Sequence, residues 1–396
     1  MERLPVEVVG NILSQLGGAR DVVIASATCR KWREACRRHL HTLSFNSNDW
    51  PTYHDLTTSR LEILITQTIF QTTGLQGLSI LMDDVDEFSA STVIAWLMYT
   101  RETLRRLFYN VKTTPNVNIL EICGRQKLET LALSHNSITG VEPNFQRFPC
   151  LKSLSLSFIN ISALNLSLLL TACPKIEVLE LVNPEIAISD AQETVELSSP
   201  TLKSIYVEGI CLDKFILEAG KGTLKHFKID EVSVIHLDIG EANDNLEIVD
   251  VSNFTIIWPK FYQMISKSSK LRKLRLWDVM FDVEEQMVDL ETILGCFPQL
   301  GHLSLGYHLG YGVFHHGLQL ENVVVLELGW TVINEHFSYW RKGLLKCCPN
   351  LKKLVIHVIG WEAKNRQECQ MLANFTSSMV QLMRKYMHVD VRFEFV

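Results

Sequence analysis

The stretch LRKLRLWD, residues 271–278, carries the pattern that decides the fold of this 396-residue chain. Leu274 and Leu276 are two residues apart, so in a β-strand their side chains point to the same side, while the lysine, arginine and tryptophan beside them point to the other. This alternation predicts a strand that buries one face and presents the other to solvent. One such strand cannot cover its own apolar face, so it needs neighbours of the same design.

The same phrase, Leu-x-x-Leu-x-Leu or a close variant, recurs from residue 40 onward. The first apolar residues of its copies are Leu40, Leu75, Leu104, Leu128, Leu151, Ile176, Leu202, Leu224, Leu246, Leu271, Leu300, Val323 and Leu351. After Leu75 the copies are 22 to 29 residues apart, which is the period of leucine-rich repeats. The period predicts an α/β leucine-rich-repeat solenoid, a horseshoe with a parallel sheet on its inner curve and helices or irregular turns outside.

The segments between the strands predict the outer side of the repeats. Helical spacing is found at Leu61–Phe70, Ile161–Thr171 and Phe337–Lys346. The two shortest intervals leave little room for a helix, so we expect Val232–Ile239 to be extended. Near the end of the chain, helical spacing over Gln370–Tyr386 and then alternating apolar residues from Val389 to Phe395 predict a helix and an edge strand that cap the stack.

A different pattern opens the chain, where residues 4–33 read LPVEVVGNILSQLGGARDVVIASATCRKWR. Proline suits the first position of a helix, and a pair of glycines can end it. Asp21 then favours the start of a second helix, and Trp32 lies in a third segment. Three short helices of roughly 40 residues seldom bury enough surface to fold alone, so their apolar stripe needs a cover.

The order and spacing of these residues resemble the F-box, a segment that docks a protein onto a Skp-type adaptor of a cullin ubiquitin ligase. The motifs that carry the resemblance are Leu4-Pro5, Val8-Val9, Ile12-Leu13-Leu16, Asp21 and Cys29-Arg30-Lys31-Trp32-Arg33. The resemblance implies an all-α F-box module at residues 1–45, followed by repeats and a cap at residues 46–396. It also implies that the adaptor is bound by Leu4, Pro5, Val8, Val9, Ile12, Leu13, Leu16 and Trp32. The alternative is an N-terminal cap for the repeats, with Trp32 in its core.

The whole layout resembles plant F-box/leucine-rich-repeat proteins. That resemblance implies a non-catalytic, substrate-recognition subunit of a Skp–cullin–F-box ubiquitin ligase, which holds an unknown target protein on its concave face. Two alternatives stay open: a small-molecule (hormone) co-receptor of the same layout, and a repeat scaffold without a ligase role.

The outward-pointing strand residues indicate where a target would bind. They are small and neutral in the repeat of Ser153, Ser155 and Ser157, but charged and aromatic further along. Tyrosine, tryptophan and arginine are enriched at interface hot spots. The predicted target-binding residues are Tyr206, Lys228, Asp230, Asp250, Lys273, Arg275 and Trp277; the alternative is that they are ordinary solvated positions.

Composition excludes several other classes of protein. The formal net charge of −6 argues against a nucleic-acid binder, and the longest apolar runs are too short to span a membrane. No signal peptide is visible, so we expect a location in the nucleus or cytoplasm. The ten cysteines and thirteen histidines form no metal-ligand motif. We therefore predict no metal, no cofactor and no catalytic residues.

Overall fold

A computed structural model describes residues 4–49, 56–82, 87–123, 127–142, 148–187, 194–256, 258–281, 294–306, 319–331, 343–358 and 366–395. The chain divides into two compact units. Unit 1 is Met1–Ser189 with Leu197–Thr201, and unit 2 is Asp190–Glu196 with Leu202–Val396. The fold is the α/β leucine-rich-repeat class that the sequence predicts.

Unit 1 begins with three short helices, α1 (Val6–Ser14), α2 (Ala19–Thr28) and α3 (Arg30–His39). Pro5 directly precedes α1 in an extended conformation, with ψ of 151°, so it caps the helix and is not its first residue. Gly17 lies in the turn between α1 and α2 with φ of +74°, a conformation that costs glycine little. The predicted arrangement of three helices is confirmed.

The repeats of unit 1 form a parallel sheet whose strands follow chain order. Its strands are β1 (Thr42–Asn46), β2 (Gly77–Leu81), β4 (Arg106–Tyr109), β6 (Thr130–Ser134), β8 (Ser153–Ser157) and β10 (Val178–Val182). The short strands β3 (Phe88–Ser89) and β5 (Thr113–Thr114) pair with each other, and β7 (Ser137–Ile138), β9 (Asn160–Ser162) and β11 (Glu185–Ala187) form a second small sheet. The helices between strands are α4 (Thr58–Gln71), α5 (Ala90–Thr100), α6 (Ile119–Cys123) and α7 (Ala163–Thr171), with a 3₁₀ turn at Ser47–Asp49. Strand β12 (Thr194–Ser199) follows.

The repeats of unit 2 form a parallel sheet of the same kind, also in chain order. Its strands are β13 (Ser204–Ala219), β14 (His226–Asp238), β15 (Ile248–Ile256), β16 (Lys273–Phe281), β17 (His302–Gly306), β18 (Val325–Thr331), β19 (Lys353–Val358) and β20 (Asp390–Phe395). The helical segments are a 3₁₀ helix (Gly240–Asn245), α8 (Trp258–Ile265) and a C-terminal helix (Arg366–Lys385).

The leucine pattern fixes the register of every repeat. All thirteen anchor residues from Leu40 to Leu351 are at most 2% exposed, and a strand begins two residues after each of them. Leu274 and Leu276 are fully buried and pair with Val249 and Val251 of the preceding strand. The core therefore consists of apolar ladders that run from strand to strand.

The outer segments follow the prediction where the structure describes them. Leu61–Phe70 lies within α4, Ile161–Thr171 forms β9 and α7, and Val232–Ile239 belongs largely to the long strand β14. The predicted C-terminal helix and edge strand are also present. Of the predicted helix Phe337–Lys346, residues 337–342 lie outside the described residues, and the rest is helical.

The N-terminal helices are joined to the first repeat by hydrogen bonds. The backbone N–H and the hydroxyl of Thr73 both donate to the carbonyl of Arg37, at 2.9 Å and 2.6 Å, and Gly18 forms a bridge with Ser44 of β1. A cleft of about 260 Å³ separates α2 and α3 from α4 beside these bonds. The predicted domain boundary between residues 45 and 46 falls inside β1 and stays a prediction.

Candidate interaction surfaces

The first candidate surface is the apolar stripe of α1, which divides into a buried edge and an exposed edge. Val9 and Leu13 are buried, at 1% and 0% exposure. Val8, Ile12 and Leu16 are 39%, 41% and 42% exposed. Val8 and Ile12 are four residues apart and lie on one side of α1. Leu16 lies two residues beyond the end of that helix, and we call these three exposed side chains the apolar row.

A close helix contact decides which edge is buried. A Cβ atom at Gly10 would lie 2.2 Å from the Cβ of His39 in α3, so only glycine allows the two helices to approach this closely. Val9, Gly10 and Leu13 therefore form the buried edge of α1.

The remaining predicted adaptor-binding residues differ in exposure, and α2 carries two exposed apolar residues that the sequence argument did not name. Leu4 and Trp32 are half-buried and Pro5 is exposed. Val23 and Ile24 are large exposed apolar residues next to the buried Val22. The run of three apolar residues was visible in the sequence, but which of them would be buried was not.

The second candidate surface is the solvent side of the sheet in unit 2, where all seven predicted target-binding residues lie on adjacent strands. The parallel register places Tyr206, Lys228, Asp250 and Arg275 in one row across β13–β16. Asp230 and Trp277 lie in the next row toward the strand ends, and Lys273 lies at the start of β16. The structure therefore brings the predicted residues onto one face.

Trp277 lies flat against this face and is only 7% exposed. Its Nε1 donates to the hydroxyl of Ser304 at 2.7 Å, and its ring lies 4.8 Å from that of His357. A Cβ at Gly329 would be 2.5 Å from the indole, so the glycine makes room for the ring. The guanidinium of Arg275 covers the indole at 3.6 Å, which leaves Arg275 as the group that faces solvent.

Carboxylates contact basic side chains of this face. Asp250 Oδ1 lies 3.7 Å from Arg275 Nε, and His302 Nε2 lies 3.1 Å from a carboxylate oxygen of Glu327. The hydrogen bond from His302 lowers the pKa of Glu327 to about 2, helped by Ser304 and by the charge of Lys273. Asp250 and Glu327 are more buried than Arg275 and His302, the side chains that they contact.

The β13 side of the same face is acidic. The hydroxyl of Tyr206 donates to Glu208, and Asp230 accepts a 2.9 Å hydrogen bond from Asn253. Burial first, and then Glu208, Asp230 and Asp250, raise the pKa of Tyr206. Lys228 is exposed between Tyr206 and Asp250 and makes no ion pair with any residue that the structure describes.

Unit 1 presents a different inner face. Its central strands carry threonine, alanine and serine at the outward positions of β6 and β8. Beyond the ends of these strands, the rings of His135 and Phe158 stack 4.9 Å apart and nearly parallel. Sequence reasoning missed this pair, because both residues have positive φ and so leave the strand alternation.

Among the described residues, no group of three or more histidine, cysteine, aspartate or glutamate side chains could hold a metal ion. All ten cysteines are free thiols. No helix in the described parts of the chain is long and apolar enough to cross a membrane. The histidines His315 and His316 lie outside the described residues.

Two family models match the chain in the regions that form these surfaces. The model described as "F-box-like" matches residues 1–44. The model described as "FBD-associated F-box protein At5g56370, LRR repeats" matches residues 102–305. The first match covers the N-terminal helices, and the second covers repeats of both units.

Two Arabidopsis thaliana proteins are similar to the chain. The F-box/LRR-repeat protein At1g67190 is 69% identical over 418 aligned residues, which cover 100% of both chains. The F-box protein At1g10780 is 24% identical over 184 residues, which cover 44% of this chain and 42% of that protein.

Proposed function

Because the chain belongs to the F-box/LRR-repeat family, we propose that it is the substrate-recognition subunit of a Skp–cullin–F-box ubiquitin ligase. Its F-box helices bind a Skp-type adaptor, and through it a cullin. Its repeats hold the target protein. The subunit makes and breaks no bonds itself; it raises the effective concentration of target lysines near the ubiquitin-loaded enzyme. Such a subunit works in the nucleus or cytoplasm.

The observation that carries the proposal is the exposed row Val8, Ile12 and Leu16. Complete burial of a fully exposed apolar side chain of this size contributes about 1.5 to 3 kcal/mol. Since each of these three is about 40% exposed, covering it contributes roughly 1 kcal/mol. The opposite edge of α1 is already packed against α3, so the row is available to a partner without any unfolding. Val9 and Leu13 then support the surface from inside and do not touch the adaptor.

The experiment that tests the proposal measures the affinity of the full chain for a purified Skp-type adaptor. We expect Ile12→Asp to abolish binding, since a charge at the centre of the row would be desolvated without a partner. The matched control is Leu164→Asp, which changes a 68% exposed leucine on α7 and should bind like wild type. A buried residue such as Leu13 is a poor choice, because its replacement would disturb the helices themselves. If the wild-type chain does not bind the adaptor, the proposal is wrong.

For target binding we propose the solvent face of β13–β16, with Lys228 and Arg275 as its principal contacts. Both present charged groups to solvent, whereas Trp277 supports Arg275 from below. Tyr206, Asp230, Asp250 and Lys273 surround them on the same face. If the target binds this face but its half-life does not depend on Ile12, the chain is an interaction scaffold without a ligase role.

A further inference from the structure

Exposed large apolar side chains are concentrated near the start of the chain. Of the eighteen such residues in the described parts, ten lie between residues 8 and 99. Five belong to the F-box region, four on its helices and Leu16 in the turn after α1, and they include the row described above. The other five form what we call the outer patch, on α4 and α5: Ile63, Phe70, Ile94, Met98 and Tyr99.

The outer patch is held together by contacts between the two helices. Trp96 Nε1 donates to the hydroxyl of Thr66 at 2.7 Å, and the hydroxyl of Tyr99 donates to the carbonyl of Phe70 at 3.1 Å. The rings of Phe70 and Tyr99 lie 4.7 Å apart. Polar groups between α4 and α5 are therefore paired, and the apolar groups stay outside.

The exposed side of α5 carries no charge. Its exposed residues are Ser91, Ile94, Ala95, Met98 and Tyr99. A surface helix usually has polar or charged residues on its solvent side, and a contiguous apolar patch is a mark of an interaction site. The outer patch thus has the chemistry of a surface that a partner covers.

The outer patch adjoins the F-box helices, because α4 borders a cleft that α2 and α3 also line. One wall of the cleft beside α4 is formed by Val22 and Val23 of α2, and the other by Leu64 and Gln67 of α4. Val23 belongs both to this cleft and to the exposed apolar surface of the F-box helices. One side of helix α4 borders the cleft, and the neighbouring side carries Ile63 and Phe70. The cleft between them also has polar walls, which include Arg33, Arg37 and Gln71, so apolar groups of α2 and of α4 and α5 lie on either side of a mixed groove.

We propose that the Skp-type adaptor contacts the outer patch as well as the F-box helices. This inference rests on the proposed function, because the same adaptor is the occupant. A partner seated on α2 meets α4 next, and the hydrogen bonds of Thr73 to Arg37 keep the two surfaces in a fixed relation. The repeats thereby take part in adaptor binding and not only in target binding.

The test compares the affinities of full-length variants for a purified Skp-type adaptor. We expect Ile63→Asp/Met98→Asp to weaken binding by about tenfold, the factor that corresponds to about 1.4 kcal/mol. Leu164→Asp is the matched control, since it also places a carboxylate on an exposed outer helix of unit 1. The milder pair Ile63→Ser/Met98→Ser, with unchanged thermal unfolding, should weaken binding in the same direction and excludes a folding defect as the cause.

Two outcomes would overturn the inference. If the double variants bind like wild type while Ile12→Asp does not bind, the adaptor covers only the F-box and the proposed function still stands. If light scattering finds that the free wild-type chain is a dimer and that Ile63→Asp/Met98→Asp is a monomer, the outer patch joins two copies of this chain. Absence of adaptor binding by the wild-type chain would instead remove the proposed function itself.

Discussion

Glu327 shows how a single side chain couples stability to pH on the solvent face of unit 2. It accepts hydrogen bonds from His302 and Ser304, and Lys273 adds a favourable charge. Together they lower its pKa from 4.5 to about 2. A carboxyl group with a lowered pKa in the folded state contributes stability above its unfolded pKa and loses that contribution as the pH falls toward the folded value.

We therefore expect the free energy of unfolding to fall by on the order of 3 kcal/mol between about pH 4.5 and pH 2 as Glu327 becomes protonated, from the size of its pKa shift. Glu327→Gln should reduce that loss while lowering the stability at pH 7. Urea unfolding of wild type and Glu327→Gln at pH 7 and at pH 2 measures the free energy of unfolding of each protein. The control is Glu102→Gln, because the side chain of Glu102 is 87% exposed. An identical pH dependence in wild type and Glu327→Gln would contradict the assignment.

Trp277 marks the limit of what residue identity alone could predict. Strand alternation correctly assigns it to the solvent side, and its chemistry suggests a contact with a partner. Its burial depends on Gly329, two strands away, and on Arg275 in its own strand. The sequence shows that residue 329 is a glycine. It does not show that the indole of Trp277 reaches across two strands to contact it.

At the scale of one element, β16 shows why the strands could be predicted so closely. A period of two residues leaves only two registers, and a shift by one would expose every leucine. The apolar edge of α1 is different, since its stripe is wider than one neighbouring helix can cover. The sequence predicts the stripe, but the contact of Gly10 with His39 decides which half stays exposed.

The register of β16 can be tested with two neighbouring substitutions. Leu274→Asp buries an unpaired charge at a fully buried position and should cost several kcal/mol of unfolding free energy, or prevent folding. Arg275→Ala removes a cation from the face of Trp277 and should cost only about 1 kcal/mol. Thermal unfolding of the two variants measures the contrast. Equal losses would show that the register is wrong.

At the scale of the whole molecule, one repeating register supports surfaces of different chemistry. The thirteen anchors were predictable because each must fill the same place in a repeat, whatever lies on the other side. The inner face of unit 1 is small and neutral, and that of unit 2 is charged. The irregular interval from Leu40 to Leu75 was predicted only in part. Its helix α4 was visible in its own apolar spacing, whereas the 3₁₀ turn Ser47–Asp49 was not, because no period requires it.

A repeat array also needs a cover at its end, and the C-terminal helix with β20 supplies one in unit 2. Strand β20 pairs along the whole length of β19, and Met379, Leu382 and Val389 are buried. Ending the chain after residue 365 would leave the backbone groups on one edge of β19 without partners, while its other edge stays paired with β18, and would uncover apolar residues of the last repeat. Open sheet edges of this kind promote association between chains.

We expect the shortened chain to form large soluble aggregates at concentrations where the full chain does not. Size-exclusion chromatography with light scattering measures this directly. The control is Met387→Ser, which changes an 87% exposed residue of the same cap and should leave the chain unassociated. A shortened chain that stays as dispersed as the full one would mean that β19 is a stable end by itself, and that the C-terminal helix and β20 serve another purpose.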